Sequence, residues 1–102
     1  MQEFLTAKRA EIAEVCRAHH VRRLAVFGSA AREDFDPERS DVDLLVEFEP
    51  LGAEVYFDNK YDLRESLRIM FGKEIDLLTW KSIRNPFLLS EVEATNKMLY
   101  AA

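Results

Sequence analysis

The sequence predicts an α/β (α+β) domain built on a small mixed sheet of three to four strands flanked by helices. Three observations point there. Short apolar runs rich in β-formers recur along the chain, segments with apolar residues at helical spacing lie between and around them, and turn residues mark the junctions. A length of 102 residues predicts one domain spanning 1–102.

Residues 3–19 place Leu5, Ile12 and Cys16 near one stripe, with Val15 beside them. Lys8, Arg9, Glu11, Glu14 and Arg17 fall largely elsewhere, as on a solvated face, so a helix is predicted. His19 and His20 follow, and adjacent histidines at a helix end point in different directions, which disfavours a shared metal. Arg22–Phe27 is the first strand, broken by Gly28-Ser29. Ala30–Asp34 predicts a short helical turn, and Asp36-Pro37 a turn beyond it.

Val42–Phe48 is the clearest strand, apolar on both faces near its centre, which suits a sheet covered on both sides. Pro50-Leu51-Gly52 ends it. Tyr56, Leu63, Leu67 and Met70 then recur at helical steps across 54–71, with Gly72 placed to stop the helix. Residues 74–80, EIDLLTW, form the third strand. Asn85 as N-cap with Pro86 at the first position starts a last helix, and Ser90–Glu93 offers a competing start. Leu89, Val92, Asn96 and Leu99 would share one face of that helix, leaving Met98, Leu99 and Tyr100 as an association surface. Aromatics at helical spacing usually pack, so most of Tyr56, Phe57, Tyr61, Phe71 and Trp80 are expected in the core.

The composition is ordinarily globular, 48% hydrophobic and 32% charged. A formal net charge of −5 argues against a protein that grips duplex nucleic acid by neutralising phosphates. It does not exclude nucleotides, because a divalent cation reverses the local sign of an acidic site. Cys16, the one cysteine, reads as a core residue, and no Cys/His pattern suggests zinc. The N-terminus is too charged for a signal peptide, and no apolar run approaches the roughly 20 residues that span a bilayer. The expectation is a cytoplasmic protein with no membrane partner.

Two acids, Asp41 and Asp43, stand at the mouth of the central strand. A strand directs residues i and i+2 to one face, with roots about 6–7 Å apart. Like charges that close oppose each other unless a cation lies between them. Mg²⁺ takes carboxylates together with substrate phosphates, so the pair is a plausible metal seat. Acids at strand ends are also common, and Asp-x-Asp alone is unspecific. Gly28-Ser29 adds a second feature, a backbone that a phosphate can approach closely at the start of a short helix. Asp76 adds a third. Inside an apolar strand it either faces water from a sheet edge or joins the other two acids from a neighbouring strand.

Taken together, G-S-A-A-R, then S-D-V-D-L-L-V, then I-D-L-L resemble the minimal nucleotidyltransferases of the polymerase-β superfamily. The combined motif is specific although none of its parts is. The resemblance covers nearly the whole chain, including the ending NPFLLSEVEATNKMLYAA. It implies a nucleotidyltransferase fold in which Asp41, Asp43 and Asp76 bind one or two Mg²⁺ ions, with Asp76 also orienting or deprotonating the attacking hydroxyl. Gly28 and Ser29 would hold the β- and γ-phosphates of ATP. Arg32 matches an arginine that touches phosphate, or is a solvated residue. Glu33 departs from the family, many members of which have Gly there.

The implied reaction moves AMP from ATP to an acceptor hydroxyl. Members are commonly paired with a HEPN-type toxin, acting as antitoxin by adenylylating one of its tyrosines. Two rivals stand beside that reading: a non-catalytic module that neutralises its partner by docking, and a transferase for a small molecule or nucleic acid. A homodimer and a hetero-oligomer both remain open.

Overall fold

The computed structural model describes residues 2–32, 36 and 41–102. The first predicted helix is two helices, α1 (Glu3–Thr6) and α2 (Arg9–Ala18). Leu5, Ile12 and Cys16 are fully buried, in line with their stripe. Burial pushes the Cys16 thiol up to about 12, which makes it an inert core residue.

β1 (Val21–Phe27) and β2 (Val42–Phe48) pair antiparallel. The long helix α3 (Ala53–Phe71) then crosses over, and β3 (Ile75–Thr79) returns parallel to β2. Gly72 stops α3 in a left-handed conformation at φ 63°, its N–H donating to the Arg68 carbonyl at 2.8 Å. The last helix, α4 (Pro86–Thr95), begins at Asn85, whose Oδ1 accepts from the N–H groups of Phe87 and Leu88 at 2.9 and 3.3 Å. The Asn85-Pro86 start therefore prevails over Ser90–Glu93.

The chain's end differs from expectation. The last helix stops at Thr95, and Lys97–Ala101 forms a fourth strand, β4, antiparallel to β1. Asn96 turns the backbone to an extended conformation at ψ 148°. Leu99 is buried and Met98 exposed, an alternation that belongs to a strand. Val92 and Leu99 consequently lie in different core clusters and not on one helical face.

The sheet order is β3-β2-β1-β4. On one face Leu24, Val26, Leu44 and Val46 pack with Ile12 and Cys16 of α2 and Leu63 and Leu67 of α3. On the other, Ala25, Phe27 and Leu45 pack with Val92 of α4. Leu44, Leu45 and Val46 are each at 0% exposure, which makes β2 the strand covered on both sides. Each fully buried Leu stabilises the fold by about 1.5–3 kcal/mol relative to exposure. Among the described residues no helix is long and apolar enough to cross a membrane.

Candidate active site

The turn after β1 is Gly28–Ala31, a single 3₁₀ turn. It is a short helical turn that begins at Gly28, as expected, and places a glycine and the Ser29 hydroxyl at the end of β1. Gly28 has φ +68°, the left-handed region that favours glycine. A Cβ built on it would collide with Oδ2 of Asp43 and stand 3.4 Å from that side chain's Cγ. The turn is braced from outside: Gln2 donates its backbone N–H to Ala30 O (3.1 Å) and its Nε2 to Arg32 O (2.7 Å), and the Arg32 N–H donates to Ser29 O (3.1 Å). Nothing local in the sequence marks Gln2 as the partner of a turn thirty residues away.

Asp43 sits in β2 opposite Phe27 of β1, and in parallel register beside Asp76 of β3. Side-by-side residues of parallel strands share a face, so the register brings the two acids together on the face that carries Leu45 and Leu78. Asp41 is exposed just before β2, where the N–H of Val42 donates to Glu74 O at 3.0 Å and locks the two strand entrances level. Asp76 is exposed, because β3 is an edge strand, and it also neighbours Asp43. Asp76 is thus an exposed edge residue that stands in register with Asp43.

Asp43 is half-buried, and its carboxyl is pushed up to about 6. Burial is the largest cause, followed by the charges of Asp76 and then Asp41; Arg32 acts weakly the other way. Arg32 itself is exposed, with Nη1 3.6 Å from Glu91 Oε1 of α4. Glu33, the departure from the family pattern, lies outside the described residues.

Carboxylates are the donors a hard divalent cation takes, and Asp43 is destabilised as an anion by burial first and then by the charges of Asp76 and Asp41. They do not close into a cage, since among the described residues no three acid, His or Cys side chains stand ready to hold a metal unaided. Mg²⁺ ordinarily keeps waters and completes its shell with substrate phosphates, so an open arrangement is the suitable one.

Asp41 and Asp76 also border a groove of about 470 Å³, walled by Phe57, Lys60, Tyr61 and Arg64 of α3. The expectation that the aromatics are mostly core fails here. Phe57 is 73% and Tyr61 61% exposed, because α3 turns Leu63 and Leu67 to the sheet and these fill the space.

A family model described as the nucleotidyltransferase domain matches residues 9–98. The chain belongs to this family. A Methanocaldococcus jannaschii protein provisionally named a protein adenylyltransferase is 36% identical over 91 residues, covering 81% of this chain and 89% of its relative. Protein adenylyltransferase MntA of Thermococcus cleftensis is 34% identical, covering 83% and 79%. The solved structure of a provisionally assigned minimal nucleotidyltransferase superimposes with TM-score 0.76 at 30% identity, covering 93% of this chain and 92% of that one. A chain from a complex described as a tri-AMPylated Shewanella oneidensis HEPN toxin with an MNT antitoxin shares the fold, with TM-score 0.63 at 18% identity, covering 96% and 73%. This minimal nucleotidyltransferase thus carries the family's fold with Asp41, Asp43 and Asp76 gathered at the strand entrances.

Proposed function

We propose that this nucleotidyltransferase uses Mg²⁺ to transfer AMP from ATP to a protein hydroxyl, a tyrosine of a HEPN toxin, and so acts as a cytoplasmic antitoxin. The observation that carries the reading is the parallel register of Asp43 with Asp76, with the Asp41 charge also felt at Asp43 and Gly28 packed against Asp43. The names of the adenylyltransferase relatives and the AMPylated toxin in a neighbouring fold support the choice of acceptor.

Asp41, Asp43 and Asp76 would hold the metal. The ion supplies charge neutralisation for the triphosphate and for the departing pyrophosphate. Gly28, lacking a Cβ, lets a phosphate oxygen approach the backbone, and Ser29 Oγ donates a hydrogen bond to it. Arg32 contributes positive charge near the same place. Asp76, exposed at the sheet edge, accepts the proton of the attacking hydroxyl. The acceptor oxygen forms a bond to the α-phosphorus as the bond from that phosphorus to the bridging oxygen breaks, and pyrophosphate leaves.

The test is incubation of the purified protein with Mg²⁺, labelled ATP and a HEPN protein from the same organism. The expected result is label on a tyrosine of that protein, absent with Asp43→Ala. A stable complex that forms with no label transferred would instead assign the chain to neutralisation by docking.

A further inference from the structure

We propose that Gln2 is a positioning residue for the nucleotide: by holding the backbone of Arg32 it sets where that arginine leaves the turn, and so how tightly a triphosphate is gripped. This rests on the nucleotide-binding part of the function proposed above and adds a residue that acts through Arg32.

Arg32 follows the Gly28–Ala31 turn with extended backbone, at φ −106° and ψ −170°. Both of its backbone polar groups are engaged. Its N–H donates to Ser29 O at 3.1 Å, and its carbonyl accepts from Gln2 Nε2 at 2.7 Å. The backbone N–H of Gln2 donates to Ala30 O at 3.1 Å, so this one residue spans the turn from Ala30 to Arg32. A residue tied at both its N–H and its C=O has little freedom in the direction of its side chain.

The latch is itself anchored. The N–H of Leu5 donates to Gln2 O at 3.2 Å, and Leu5 is fully buried. Leu5 packs with Ala30 and Ala31 in the cluster that holds Leu44, on the sheet face opposite Asp43. Gly28 meets Asp43 on the other face. The turn is therefore held from both sides, and a loop held in advance loses less freedom when a ligand binds.

The head of Arg32 is less constrained than its root. The guanidinium is exposed, with Nη1 3.6 Å from Glu91 Oε1 of α4, and its charge reaches Asp43. Exposed ion pairs hold weakly, whereas a guanidinium takes phosphate oxygens in bidentate fashion. The head can pass from Glu91 to a triphosphate while Gln2 keeps the root in place.

The test measures the affinity of the whole chain for a non-hydrolysable ATP analogue with Mg²⁺ by calorimetry, with urea denaturation giving the folded fraction of each variant. Gln2→Met keeps the length of the side chain, its neutrality and the backbone bond to Ala30, and removes only the Nε2 donor. It should weaken the analogue about fivefold, the scale of one lost hydrogen bond. Arg32→Ala should weaken it as well. Adding Gln2→Met to Arg32→Ala should cost no more than about a further twofold, because residues that act through one another are not additive. Unchanged affinity in Gln2→Met overturns the proposal. So does the same loss in both backgrounds, which would make Gln2 a structural brace with no route through Arg32. A parent protein that binds no analogue would sink the nucleotide reading and this proposal together. Analogue bound with the expected coupling, but no AMP transferred to any protein, would sink the transferase reading alone and leave Gln2 its place in a nucleotide-binding module.

Discussion

Gly28 and Asp43 are packed so closely that no Cβ fits between them: one built on Gly28 would overlap Oδ2 of Asp43. The antiparallel pairing of β1 with β2, which sets Phe27 opposite Asp43, places the turn directly over the carboxylate. The two halves of the proposed site, phosphate grip and metal seat, therefore touch.

Gly28→Ala is expected to fail on two counts. A side chain at φ +68° costs about 1–2 kcal/mol, and the new methyl must displace the Asp43 carboxylate. Urea denaturation should show the stability loss, and nucleotide transfer should fall further than the folded fraction does. An alanine variant with full turnover would show that the close approach has no catalytic consequence.

Asp43 makes stability depend on pH in an unusual direction. Its folded carboxyl titrates at about 6 against an ordinary 3.8, so the native state disfavours the anion. Its contribution is most favourable below the ordinary value, where both states are protonated, and is lost as pH rises through about 6. Without divalent cations, Asp43→Asn should melt higher than the parent protein at pH 7.5, with the difference shrinking as pH falls toward 4.5. Added Mg²⁺ should raise the melting temperature of the parent and not of the variant. A constant difference across that range would remove the claim that Asp43 is held against its charge.

Asp76 is exposed, so Asp76→Asn should leave stability within about 0.5 kcal/mol. If it takes the proton of the attacking hydroxyl, transfer should drop about 10²–10⁴-fold with little change in ATP affinity. Equal losses in ATP affinity and in turnover would move Asp76 from proton acceptor to nucleotide binding alone.

The final strand can be tested by a pair of neighbours. Leu99→Ala should destabilise by about 2–5 kcal/mol, since Leu99 is buried in the α2–α3 cluster, whereas exposed Met98→Lys should be nearly neutral. Comparable losses at both positions would contradict the alternation of β4.

Apart from the break that splits the first helix after Thr6, strand and helix order through residue 92 was legible because periodicity and punctuation are local. Gly72, Asn85 and Pro86 bound their helices where expected, and the run Leu44-Leu45-Val46 announced a strand buried on both faces. Residues 97–101 were not legible. Their apolar pattern suits a helix as well as a strand, and the deciding partner, β1, lies some seventy residues earlier. Phe57 and Tyr61 misled for a related reason. Helical spacing says which residues share a face, but not how much core is left to fill once Leu63 and Leu67 have taken it.

The candidate site divides in the same way. The identities of its members, Gly28, Ser29, Asp41, Asp43 and Asp76, are written in short motifs, because chemistry demands particular side chains in particular local settings. Their union is not. It comes from the parallel register that sets Asp43 beside Asp76 and from the antiparallel pairing that lays Gly28 on Asp43. Hydrogen bonding between distant strands sets those relations, and no local pattern encodes them.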